Sequence, residues 1–353
     1  MNHPVTLFTG QWADLSLEII CSVMGKAGYD GLELACWGDH FDVMKAQNDD
    51  GYCERLWEML QDHGLGCWAI SNHLVGQAVC DKIDERHQEI LPPRLWGDGD
   101  PEGVRERAAA EMKSTALAAK RFFSVAPASV MNLVPERYIP VVNGFTGSSI
   151  WNYSYPFPPV SKALVDNGYL DFANRWMPIL ETFAKAQIRF ALEVHPAEIA
   201  FDITSAKRTL HAVREHPSFG FNFDPSHFGY QGVDYLAFLR ELGANVYHVH
   251  VKDCWWSDTP THAGVFGGHT EFGTPGRFWD FRSPGHGRID FDNVFRGLLA
   301  AGYQGPLSVE WEDPHMDRVH GAREALKFVR DLQFPPAAAM FDSAFGQNSE
   351  PNR

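Results

Sequence analysis

The stretch GFNFDPSHFGYQGVDYLAFLRELGANVYHVHVKD, residues Gly220 to Asp253, decides the fold. It holds two short apolar runs that each end in charged or imidazole side chains. Phe219, Phe221 and Phe223 alternate with Gly220, Asn222 and Asp224, and Tyr247, Val249 and Val251 alternate with His248, His250 and Lys252. Side chains on a strand change face at every residue, so Asn222 and Asp224 share a face, as do His248, His250 and Lys252. Polar groups stacked at the end of a buried strand need partners, because burying them alone is costly. A divalent cation is one such partner. Two further runs end alike, RFALEVHP at Glu193 and PLSVEWEDP at Glu310.

Outward from this stretch, strand and helix signals alternate. Strands are expected over 6–10, 31–36, 65–70, 141–145, 188–194, 219–223, 246–252 and 307–310. Helices are expected over 16–27, with Ser16 as N-cap and Gly28 as stop, and over 51–63, 101–123, 168–186, 204–214, 233–242, 290–301 and 316–332. Eight strands alternating with helices imply parallel strands and right-handed crossovers. No glycine-rich phosphate turn follows the first strand, so a closed (β/α)8 TIM barrel fits better than an open sheet. The expected domain is a single barrel over 1–333 with a Pro- and Ala-rich tail over 334–353. Two long connections, 74–100 and 253–288, read as irregular insertions that cover the barrel mouth.

Composition narrows the function. The chain has 353 residues, 44% hydrophobic and 21% charged, which suits a large globular core. A formal charge of -15 opposes a nucleic-acid partner. It also argues against a highly phosphorylated substrate. Six cysteines without a CxxC pair read as reduced thiols, and no signal peptide or membrane-spanning run is evident. The expected location is therefore cytoplasmic, with no membrane partner. A homo-oligomer is left open.

In such a barrel the active site lies at the C-terminal strand ends. Glu193, Asp224, His250 and Glu310 would converge there as metal ligands. Three carboxylates and one imidazole suit a single hard or borderline divalent ion, Mn²⁺ first, with Mg²⁺, Co²⁺ or Fe²⁺ as alternatives. The competing reading is a set of salt bridges to Lys252, Arg189 or Arg282. His250 lies nearer the strand end than His248, which is expected one layer deeper as a hydrogen-bonded core histidine. Trp37, His73, Phe145, Trp151, His195, His227, Lys252, Arg282 and His286 lie at strand ends or in the following loops and are candidates for substrate binding. Aromatic side chains there would stack on the apolar face of a sugar.

NFDPSH, HVHVKD, GHGRIDF and GYQGPLSVEWED together resemble the sugar phosphate isomerase/epimerase family, the xylose-isomerase-like barrels that include tagatose and allulose epimerases, inosose dehydratase and endonuclease IV. The resemblance is strongest from about Glu193 to Leu332. It implies that Glu193, Asp224, His250 and Glu310 hold the metal, that Glu193 and Glu310 also exchange protons with a substrate carbon, and that His227 contacts the sugar. Where the epimerase branch has an Arg shortly after the His ligand, this chain has Lys252 and Asp253. The expected activity is a metal-dependent isomerase or epimerase acting on a keto-sugar or keto-glycoside. A metal chelating a carbonyl and its neighbouring hydroxyl acidifies the intervening C–H, and a carboxylate takes that proton to give an enediolate. β-Elimination by a lyase or dehydratase shares this first step. A non-catalytic sugar-binding barrel is a third reading. If Glu193 and Glu310 were ligands only, the base would be His73, His195, His227 or His286.

Overall fold

A computed structural model describes residues 3–334. Eight parallel strands close into a barrel: β1 (Val5–Phe8), β2 (Gly31–Ala35), β3 (Ala69–Ser71), β4 (Val141–Gly144), β5 (Arg189–Glu193), β6 (Phe219–Phe223), β7 (Val246–Val251) and, last in the chain, β10 (Leu307–Val309). The ring runs in chain order, and β10 closes it between β7 and β1. The strands are buried on both faces, as parallel strands covered by helices must be. Phe190, Phe219, Phe221 and Phe223 are fully buried and pack outward against Phe172, Trp176, Phe183 and Phe238 of the surrounding helices.

The helix signals rest on identifiable caps. Ser16 accepts from the Ile19 N–H at the start of Leu17–Ala27, and Gly28 ends that helix with φ 94°. Asp100 caps Pro101–Ser124, where Pro at the first helical position needs no N–H partner. One helix begins earlier than the sequence suggests: it spans Lys162–Ala186, capped by Ser161. Gly168 lies inside it because a Cβ there would meet Ile150 Cγ2 at 2.2 Å. Close packing, rather than a helix start, accounts for that glycine.

Both insertions are more regular than expected. Residues 74–100 include short helices at Glu85–Ile90 and Pro93–Trp96, and a third, His73–Gln77, starts just before them. The last of these, Pro93–Trp96, leans on Pro101–Ser124, through Arg94 Nη1 to Glu111 Oε2 (2.9 Å) and Arg107 Nε to the Leu95 carbonyl (2.8 Å). Only the start of this insertion reaches the end of β4, where the Ser148 N–H donates to Asp81 Oδ1 at 2.8 Å. The second insertion carries an antiparallel hairpin, β8 (Asp253–Trp256) with β9 (Trp279–Arg282). Asp253 anchors its return. It is 1% exposed and accepts from the N–H groups of Cys254, Gly285, Gly287 and Ile289 at 2.8–3.2 Å. A Cβ on Gly287 would lie 2.1 Å from Asp253 Oδ1, so the GHG turn is built to let that carboxylate approach backbone. The expected tail over 334–353 falls, from 335 on, outside the described residues. Among the described residues no helix is long and apolar enough to cross a membrane.

Candidate metal centre at the barrel mouth

The ends of β5, β6, β7 and β10 bring Glu193, Asp224, His250 and Glu310 together. One ligand atom from each lies within 4.8 Å of all the others. These residues are 2%, 0%, 0% and 5% exposed, so four ionisable groups share one water-poor space. Alternation within each strand sets which side chains enter the lumen, and barrel closure sets which of them meet.

The layer below fixes their orientation, and its centre is Glu33 on β2. Glu33 Oε2 accepts from His248 Nε2 (2.8 Å) and Ser308 Oγ (2.5 Å), and Oε1 accepts from Asn143 Nδ2 (2.7 Å) and from the Ser71 hydroxyl. His250 Nε2 stands 3.1 Å from both oxygens. His248 is thus a hydrogen-bonded histidine one layer deeper than His250, as the alternation suggests. Glu33 itself escapes the sequence reading. Its signal was a lone carboxylate in the apolar run GLELA, at a lumen-facing position.

Because Nε2 of His250 donates downward, its Nδ1 presents a lone pair upward. Nδ1 lies 2.7 Å from Glu310 Oε2 and 3.3 Å from Glu193 Oε2. Yet among the described residues His250 Nδ1, Glu310 Oε2 and Asp224 Oδ2 are buried without a partner in hydrogen-bond geometry, although His227 Nε2 lies 3.2 Å from Asp224 Oδ2. Close approach without hydrogen-bond geometry leaves these polar atoms facing one small shared space. Buried acceptors facing one another are costly unless a cation sits among them. The donor set, three carboxylates and one imidazole, fits a hard or borderline divalent ion. Without a cation a proton takes that part. Burial alone would lower His250, but Glu33 and Glu310 outweigh it and hold the imidazole well above its usual range.

The two glutamates sit in different surroundings. Glu193 accepts from His73 Nε2 (3.0 Å) and lies 3.0 Å from His227 Nε2. Burial would raise its pKa, but the imidazoles of His227, His250 and His73 hold it well below the usual range. Glu310 Oε1 accepts from Gln11 Nε2 (2.6 Å) and Lys252 Nζ (3.0 Å). Burial there is overcome by the Lys252 charge, which pulls the carboxyl down to about 2. The salt-bridge reading therefore holds for Lys252. It does not hold for Arg189, which lies over Tyr247 at 4.2 Å, nor for Arg282, whose Nη1 donates to the Phe281 carbonyl at 2.8 Å.

The other candidates divide. His73, Phe145, His195 and His227 line one wall: Phe145 packs edge-on against His73 at 4.7 Å, and the rings of His195 and His227 are 4.0 Å apart. Burial and the neighbouring His227 charge push His195 down to about 3, so it stays neutral. Asp224 and Glu193 outweigh burial at His227 and raise it to about 9. Trp37 lies 6.2 Å from His73 and donates to the Gly10 carbonyl. Phe8 on β1, absent from the sequence reading, stacks on His250 at 5.2 Å. Three candidates stand elsewhere. Trp151 packs on Phe201 at 5.2 Å, Arg282 lies in the hairpin, and His286 is exposed and meets Glu324 at 3.3 Å.

A closed parallel barrel with buried carboxylates and imidazoles gathered at the C-terminal strand ends defines the class. The chain belongs to the xylose isomerase-like TIM barrel family, whose model matches residues 22–332. It is 29% identical over 183 residues to the uncharacterized protein YfiH of Bacillus subtilis (strain 168), covering 50% of this chain and 58% of that protein. The chain thus spans under two thirds of that relative's length. The structure is similar to the probable 3-DHS dehydratase AsbF of Bacillus anthracis (TM-score 0.61, 18% identity, 93% of this chain and 99% of that one). It is also similar to a D-psicose 3-epimerase solved with D-fructose (TM-score 0.60, 15% identity, 93% and 99%). At these identities the likeness concerns the fold.

Proposed function

We propose that this chain is a divalent-metal-dependent isomerase or epimerase that acts on a keto-sugar or keto-glycoside by carboxylate proton transfer. One observation carries the reading: Glu193 and Glu310 flank His250 Nδ1 from strands three steps apart in the barrel, together with the buried Asp224 Oδ2. Glu193, Asp224, His250 and Glu310 would hold the ion, with Mn²⁺ the first choice. When bound, it supplies Lewis-acid polarisation of a chelated carbonyl and hydroxyl, which lowers the pKa of the C–H between them.

The remaining work falls to the chain. Glu193 and Glu310 approach the substrate carbon from different sides, and each can take or return a proton. His73 and His227 hold Glu193 in place, and Gln11 and Lys252 hold Glu310. Phe145, His195 and Trp37 form the wall against which a sugar ring would lie. Burial of the cluster excludes water and strengthens every charge interaction inside it. Two proteins of similar fold are by their names a D-psicose 3-epimerase and a probable 3-DHS dehydratase, and the first supports a sugar as the substrate class.

The test is proton NMR in D₂O with metal-reconstituted protein and a panel of keto-sugars and 3-keto-glycosides. Solvent deuterium should enter the carbon next to the carbonyl, with inversion there or transfer to the adjacent carbon. Loss of a β-substituent would select the lyase reading instead. Turnover without solvent deuterium would favour a hydride shift and sink the proton-transfer scheme. Glu193→Gln and Glu310→Gln should each stop net turnover, and one of them should still exchange the substrate proton.

A further inference from the structure

Beside the candidate metal centre lies a recess of about 270 Å³, between the second insertion and the segment after β10. Its walls include Gln11, Trp12, Phe272, Phe281, Trp311 and Glu312. Two side chains join it to the cluster. Gln11 Nε2 donates both to Glu310 Oε1 (2.6 Å) and to Glu312 Oε1 (3.1 Å). Lys252 Nζ does the same at 3.0 and 3.1 Å and lies 4.2 Å over the Phe281 ring. The recess is therefore separated from the candidate ligand Glu310 only by the side chains of Gln11 and Lys252, which touch both Glu310 and the wall residue Glu312.

Its chemistry is aromatic and acidic. Phe272 is 52% exposed, although it is a large apolar ring held in a turn between the hairpin strands. It packs on Phe281 at 5.2 Å, with the Arg277 guanidinium 4.7 Å from its centroid. Among the described residues Gln11 Oε1 is buried without a hydrogen-bond partner. The three nearby cations are already paired: Lys252 with Glu310 and Glu312, Arg318 with Asp14 at 2.7 and 2.8 Å, and Arg277 with Asp280 at 3.7 Å. Among the described residues a phosphate or carboxylate would meet Glu312 with no unpaired positive charge beside it. A neutral ring with hydroxyl donors and an apolar C–H face would meet acceptors and an aromatic edge.

We infer that this recess is a subsite for a second, uncharged glycosyl ring attached to the reacting sugar, so that the substrate is a keto-disaccharide or keto-glycoside rather than a free monosaccharide. The inference rests on the proposed sugar chemistry at the metal centre and extends it by one ring. Phe272 acts there as a specificity-determining contact, away from the reacting atoms.

The experiment is titration calorimetry of the Mn²⁺-loaded full chain with D-fructose, D-fructose 6-phosphate, and the keto-disaccharides turanose and isomaltulose. At least one disaccharide should bind about tenfold more tightly than D-fructose, the scale of one good aromatic stacking contact. D-fructose 6-phosphate should gain nothing. Phe272→Ala should erase the disaccharide gain and leave D-fructose binding unchanged, and Phe272→Trp should restore it. The subsite is overturned if neither disaccharide gains over D-fructose, if the phosphate gains more, or if Phe272→Ala leaves the gain intact. Binding is read independently of turnover. A disaccharide gain without any proton exchange would therefore support the subsite while refuting the proposed reaction.

Discussion

His250 Nε2 lies 3.1 Å from each carboxylate oxygen of Glu33, and this contact decides which imidazole nitrogen faces the candidate metal centre. With Nε2 donating to Glu33, Nδ1 is left as the acceptor beside Glu193 and Glu310. A histidine ligand whose other nitrogen donates to a carboxylate is fixed in tautomer and ring angle. Glu33 is thus a positioning residue for the whole cluster, reaching it from the far side of the barrel.

Glu33→Gln should weaken Mn²⁺ binding about 10–100-fold in protein that remains folded. The amide keeps the shape and loses the charge that orders His250. Calorimetric titration of metal into EDTA-treated protein reads the change directly. An unchanged Kd would mean that Glu33 serves packing alone.

Glu193→Gln, Asp224→Asn, His250→Ala and Glu310→Gln should each lower metal content while leaving the barrel folded, because the core lies below this layer. Wild-type protein should also melt higher with Mn²⁺ than after EDTA, by an amount that grows with metal concentration. Elemental analysis and melting curves check both. Full metal content in all four variants would remove the ligand assignment.

Asp253→Ala should destabilise the fold by about 2–4 kcal/mol, since it strands N–H groups now bonded to a buried carboxylate. Gly287→Ala should cost a similar amount, because its Cβ would lie 2.1 Å from that carboxylate. The two share the carboxylate contact, while the Cys254 carbonyl 2.6 Å from the added Cβ remains, so the double variant should cost less than the sum. Additive losses in urea melts would contradict this account of the turn.

Glu198 gives the stability curve a slope. It is fully buried and accepts from the N–H groups of Thr146 and Gly147 at 2.7 and 2.8 Å. Burial, with the nearby Asp81 charge, raises its pKa from the ordinary 4.5 to about 8. The folded state thus holds a proton that the unfolded state has lost, so this group's contribution falls as pH rises from about 4.5 to about 8 and is level beyond. Glu198→Gln, neutral throughout, should melt close to wild type near pH 4.5 and above it near pH 8, by up to a few kcal/mol on the order of the shift. A constant difference across that range would show that Glu198 does not titrate there.

Much of the barrel was legible in the sequence. The β6 span Phe219–Phe223 matches its alternation, and the capped helix Leu17–Ala27 matches its Ser and Gly signals. The insertions were less legible. In 253–288 the pairing of Cys254 with Phe281 and of Trp256 with Trp279 joins residues separated by a long glycine-rich loop, and strand pairing over that distance leaves no local period. In 74–100 the helices are too short to show one turn after another of apolar spacing.

Sequence alone determined the alternation that turns Asn222, His248 and His250 toward the lumen and puts Asp224 at the end of its strand, and the order of strands that makes a closed barrel the economical fold. Local period and local chain chemistry are properties of neighbouring residues, so they can be read without the rest of the molecule. Only the tertiary structure decided that Glu33 from β2 and Gln11 after β1 join residues more than two hundred positions away, that Lys252 reaches Glu310, and that His286 meets Glu324 rather than the cluster. Those meetings depend on the stagger between strands when the sheet closes. A period of two fixes the face a side chain takes but carries no information about its height against the strand across the barrel.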